Sequence, residues 1–241
     1  MRIHVGGYGF QGLAAVEHIN DLIGKGEMIL NGLAGYYAVI SETLGDNKAM
    51  SRLSEFVKRF FKTLKVMDGF TVSSSLGLSY RLQKVRHCRI WSRQNRVFEN
   101  DVRDFFLEGV SGTTNFRAEV FDLEERTVKL FSGMARGVAA SCISLPGLFP
   151  PYMDRYVTTT YLSQIPVSFL SDGDIVLVNL RDPSSGRLKT ASDLLFQSME
   201  VRSLNYAREM LSHSKCQLVR VSKIVCSDSA FDFLEKLRKR L

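Results

Sequence analysis

Short apolar runs alternate with stretches of helical periodicity along this chain. Ile3-His4-Val5 reads as a short buried strand, and Leu13, Val16, Ile19 and Ile23 then fall on one stripe of a helix over about 13–23. Gly24 and Gly26 punctuate its end. Met28-Ile29-Leu30 reads as a second strand running into a turn that holds Gly32 and Gly35, and Tyr36 to Leu44 reads as a second helix. A strand–turn–helix unit that occurs twice in succession predicts an α/β protein.

The pattern continues downstream. Leu53, Phe56, Val57, Phe60, Phe61 and Leu64 form the apolar side of an amphipathic helix over 51–64. Residues 116–121 and 127–131 alternate like paired strands around a turn at 122–126. Residues 134–141 are rich in small side chains and read as a helix. Residues 174–180 form the continuous apolar run of a parallel strand. Pro183 to Gly186 is a loop, 191–211 a long helix and 217–221 a last strand. Phe231, Leu234, Leu237 and Leu241 are spaced for a basic amphipathic helix over about 229–241. Residues 70–98 fit no element.

A length of 241 residues suits a single α/β domain spanning 1–241. No apolar stretch approaches the roughly 20 residues of a membrane span, and the N-terminus lacks the pattern of a signal peptide. The cysteines, Cys88, Cys142, Cys216 and Cys226, form no C-x-x-C pair, as expected for reduced thiols in a cytoplasmic protein. His4, His18, His87 and His213 are scattered, and no metal-ligand spacing occurs. Neither a metal nor a cofactor is expected. Net charge is +7, and the excess is local. Between Phe70 and Phe98 no acidic residue occurs, while Arg81, Lys84, Arg86, Arg89, Arg93 and Arg96 accumulate. Such a run is most often a solvated face. Its interleaved Tyr80, Trp91 and Phe98 also suit an anionic lipid surface or a nucleic acid.

Three segments carry candidate chemistry. Gly7-x-Gly9-x-x-Gly12 lies between a strand and a helix and matches a dinucleotide fingerprint, but the acidic residue expected about 20 positions on is missing, with Asn31 near that place. Asn31-Gly32-Leu33-Ala34-Gly35 is a tight strand-to-helix turn. Ala139-Ala140-Ser141-Cys142-Ile143-Ser144-Leu145-Pro146-Gly147-Leu148-Phe149-Pro150-Pro151 has no place in a dinucleotide-binding reading.

Taken in order, these segments, with Asn115 to Leu123 and Phe131-Ser132-Gly133, resemble the patatin-like acyl hydrolases over roughly residues 1–225. The resemblance implies a three-layer α/β/α fold with a mainly parallel central sheet, and a variable basic region over about 65–112 beside the active-site mouth. It implies that Gly7, Gly9, Phe10, Gln11 and Gly12 form a loop whose N–H groups face an oxyanion or another anion. Tyr8 and Gln11 depart from the family's glycine and basic residue there. It also implies that the nucleophilic serine's place at the elbow is taken by Leu33, which has no lone pair to attack with.

For the family's catalytic aspartate two registers compete. Asp172-Gly173 is a literal Asp-Gly next to the 174–180 strand. The other register sets Tyr156-Val157-Thr158-Thr159-Thr160 on the motif and Leu162 to Val167 on the family's following N-x-P-V segment. The second keeps Pro166 in register and is preferred. Thr158 then stands at the base position, and both catalytic groups are replaced.

The expected function is therefore that of a pseudoenzyme, a regulatory or binding subunit for a lipid, an acyl group or a protein partner, such as an active paralogue. It would be cytoplasmic or peripheral at a membrane. The position of the basic region favours lipid over nucleic acid. An active lipid acyl hydrolase with an atypical nucleophile is the alternative.

Overall fold

The computed structural model describes residues 1–7, 11–67, 102–145, 149–178, 180 and 191–221. It is an α/β protein with a mixed, mostly parallel open sheet. The strands are β1 (Arg2–Val5), β2 (Glu27–Leu30), β3 (Arg117–Asp122), β4 (Thr127–Phe131), β5 (Tyr156–Thr158), β6 (Ile175–Val178) and β7 (Gln217–Arg220). The sheet order is β4-β3-β2-β1-β6-β7, with β5 also paired to β3. β1 runs parallel to β2 and β6, β2 parallel to β3, and β6 parallel to β7. β4 and β5 are antiparallel to β3. Strands buried on both faces explain the unbroken apolar runs at 28–30 and 175–178, and β1 is buried as well although His4 interrupts its apolar run.

The helices are α1 (Gln11–Ala14), α2 (Val16–Leu22), α3 (Gly32–Leu44), α4 (Asp46–Met67), α5 (Ala135–Ile143) and α6 (Ala191–His213). The single helix expected over 13–23 is broken at Ala15 into α1 and α2. α3 begins at Gly32, not at Tyr36, so the glycine turn is the first turn of the helix itself. Gly32 has φ +62, a left-handed backbone that glycine adopts without a Cβ penalty. This is what folds the chain back from β2 into α3. α3 is buried from Gly32 through Ser41.

β5 is the element that periodicity missed, since three residues carry no pattern. Its pairing decides where Thr158 goes. β2 is last registered with β3 at Leu30–Ala118. Since β4 occupies the other edge of β3, β5 takes over the edge that β2 vacates, with Thr158 opposite Val120. The β3–β4 hairpin is closed by Asp122, whose Oδ1 accepts the Glu124 and Glu125 N–H groups while Arg155 grips its carboxylate at 2.8 and 2.6 Å. Among the described residues no helix is long and apolar enough to cross a membrane. The loop expected at 183–186, the 70–98 segment and the C-terminal helix expected at 229–241 lie outside the described residues.

Candidate functional site

The carboxyl ends of β1 and β2 converge on the turn that opens α3. The Asn31 N–H continues the β1–β2 ladder by donating to Val5 O (3.1 Å), and the Asn31 carbonyl accepts the Gly35 N–H (3.2 Å). The Gly32 N–H donates to Thr158 Oγ1 (3.3 Å). β3 thus brings Thr158, fully buried, against the first residue of the helix. Leu33 lies one residue further in, 1% exposed, as part of the main core. Asp172 lies elsewhere. It precedes β6, which pairs with the start of β1, and its carboxylate accepts the Lys215 N–H (3.0 Å) at the opposite end of the sheet.

The turn has little free space. A Cβ added to Gly32 would lie 2.7 Å from the Gly7 carbonyl oxygen and 2.8 Å from the Thr160 methyl. A Cβ on Gly12 would lie 3.1 Å from the same oxygen. Gly7 therefore turns a hydrogen-bond acceptor, not a donor, toward the elbow. An oxyanion there would meet a like partial charge. α1 has only four residues, too few for a useful helix dipole. Gln11 opens α1, and Gly9 and Phe10 lie outside the described residues. Of the anion-binding loop expected at 7–12, the described part thus shows the Gly7 carbonyl facing the elbow and a four-residue α1 behind it.

Behind the turn runs a buried polar chain. The Glu119 carboxyl, on β3 and fully buried, accepts the Ser168 N–H at Oε2 (2.9 Å). The Thr159 hydroxyl sits 2.8 Å from Glu119 Oε1 and 3.1 Å from the Glu119 carbonyl. Its single proton is committed to one of these oxygens, so its other neighbour, Asn31, presents its amide nitrogen (3.2 Å). Asn31 Oδ1 then faces Gly6 without a partner, and Thr160 Oγ1 is likewise buried and unpartnered. Burial pushes the Glu119 pKa up to about 7, offset in part by the Thr159 and Ser168 hydrogen bonds. Glu119 escaped the sequence reading. The available signal was an acid between Ala118 and Val120 in a strand interior.

A second buried titratable group is His4 on β1. Its Nδ1–H donates to Pro166 O (2.7 Å), and Nε2 lies 3.2 Å from Asp174 Oδ2. Burial lowers its pKa, opposed by the Pro166 and Asp174 contacts. Asp174 is itself held by Arg2, through the backbone N–H (3.0 Å) and the guanidinium (3.1 Å).

No relocated nucleophile stands out among the described residues. Ser141 and Ser144 donate to carbonyls one helical turn back. Cys142 packs on Gly35, and burial raises its pKa far above the ordinary thiol range, so it stays a thiol. No cluster of His, Cys, Asp and Glu among the described residues has the form of a metal site. Arg81, Lys84, Arg86, Arg89, Arg93 and Arg96 lie outside the described residues. No protein-family model matches the chain, and no curated protein sequence matches it.

Proposed function

We propose that this chain is a non-catalytic protein of patatin-like, three-layer architecture that serves as a binding or regulatory subunit for an acyl lipid or a protein partner. One observation carries the reading. The turn that would present a nucleophile is Asn31-Gly32-Leu33-Ala34, which offers no hydroxyl or thiol whichever residue is taken as the reactive position, and the Gly7 carbonyl fills the space beside it. Acyl transfer needs a nucleophile, a base and donors for the developing oxyanion. Leu33 and Gly32 cannot attack. The Thr158 hydroxyl is no base at neutral pH and is engaged as an acceptor for the Gly32 N–H. Asp172, at the far end of the sheet, is out of reach of the turn.

The test pairs turnover with binding. The purified chain is assayed on p-nitrophenyl esters and on phospholipid, and titrated with a fluorescent fatty acid and with anionic vesicles. Binding of fatty acid or vesicles without turnover supports the lipid reading. Turnover at the rate of a serine hydrolase refutes the non-catalytic reading. Absence of both leaves the protein-partner form, which co-purification with a defined partner must then bear out.

A further inference from the structure

We propose that residues 163–170 form a strap across one face of the sheet, closed by a histidine clasp on β1 and a carboxyl clasp on β3, and that the carboxyl clasp releases as pH rises. This proposal goes beyond the functional reading above and does not depend on it.

The register puts the two clasps on the same face. His4 pairs with Ile29, and Ile29 pairs with Arg117, so these three side chains share a face, joined by Asn31 and Glu119 two residues further along their strands. The strap crosses that face. Its Pro166 carbonyl accepts a hydrogen bond from His4 Nδ1–H, and its Ser168 N–H donates to the Glu119 carboxyl. β1 and β3 are two strand spacings apart, about 9.5 Å. The three residues 166–168 can bridge that distance. Between the clasps the Pro166 ring presses on Gly6, where a Cβ would lie 2.6 Å from Pro166 Cδ and 1.9 Å from Asn31 Oδ1. Only glycine fits there. The unpartnered Asn31 oxygen lies beneath the strap.

The strap's own apolar contacts are separate from the main core. Ile165 and Val167 pack with Val176 and Ala207 in a small cluster of their own. Tyr206 OH reaches Ser168 Oγ from α6 (3.3 Å). A segment anchored this way has the makings of a local opening unit. Among the described residues, the groups facing the Glu119 carboxyl are the Thr159 hydroxyl and the amide and hydroxyl of Ser168, with no basic side chain among them. Facing His4 are the Pro166 carbonyl, Asp174 and Arg2. An ionised Glu119 is thus a buried anion without a counter-ion among the described residues, and the least costly way to hydrate it is to lift the Ser168 end of the strap. The protonated acid keeps the strap closed.

Hydrogen exchange of peptides covering 162–170, measured at pH 6 and pH 8 and corrected for intrinsic rates, reads the opening. Wild-type protection should fall by roughly tenfold per pH unit between the ordinary carboxyl value of 4.5 and about 7 and then level off, a fall of roughly tenfold in all from pH 6 to pH 8. Glu119→Gln should show equal protection at both values. Thr159→Val removes a hydrogen bond that favours the ionised form, so its transition should move to higher pH. His4→Leu should raise exchange at both values and leave the pH step in place. Wild-type protection that does not change with pH overturns the proposal. So does a pH step that survives in Glu119→Gln, or a step in which β1 and β2 lose protection in parallel with the strap.

Discussion

Replacing Glu119 by glutamine separates the cost of a buried charge from the hydrogen bonds that surround it. Glutamine reproduces the neutral acid: its oxygen accepts the Ser168 N–H, and its amide donates to Thr159 Oγ1, which donates in turn to the residue 119 carbonyl. The pKa of Glu119 rises from 4.5 to about 7 on folding. Between those values the unfolded chain has released a proton that the folded chain retains, so stability falls as pH rises through the window. At about 1.4 kcal/mol per pH unit, the penalty is roughly 3 kcal/mol at pH 8 and absent below about pH 4.5. Opening of the strap caps that figure. Glu119→Gln should therefore match wild type to within about 1 kcal/mol near pH 4.5. At pH 8 it should be the more stable protein by up to roughly 3 kcal/mol, a Tm higher by roughly 6–12 °C for a chain of this size. Urea titrations at the two pH values, with thermal melts beside them, measure the difference. A variant less stable than wild type at pH 8 would refute the reasoning, because it would mean that the ionised carboxylate is favourably held.

Two further outcomes are expected. Gly32→Ala places a Cβ at positive φ and 2.7 Å from the Gly7 carbonyl, so it should cost more than about 2 kcal/mol in a denaturant titration, whereas an equal stability would mean that the turn has room for a side chain. Reversing Arg86, Arg89 and Arg93 to Glu should abolish adsorption to anionic vesicles at low salt, and unchanged adsorption would make the basic run a solvated face.

How much was legible follows from the range of each interaction. The buried runs of β1, β2 and β6 and the stripes of α2 and α4 are local patterns, readable because burial imposes a period. α3 starts four residues before the Tyr36 that its periodicity marks, since Gly32 and Gly35 look like a loop when the left-handed residue is also the first of the helix. The position of Thr158 against Gly32 depends on β5 taking the edge of β3 that β2 vacates, a pairing between segments about 40 residues apart. Motif spacing suggested that neighbourhood, but only the register supplies it. Glu119 and His4 were hidden for another reason. An acid in a strand reads as a solvent-facing position and a lone histidine carries no spacing signal, and here a separate segment, 163–170, covers both.

The central claim is that the elbow carries no reactive side chain. Incubation of the folded chain with an alkyl fluorophosphonate, followed by intact-mass and peptide-mass measurement, tests it most directly. The account predicts an unmodified mass after prolonged exposure. A stoichiometric adduct on a single serine, threonine or cysteine, lost on unfolding before treatment, would contradict it.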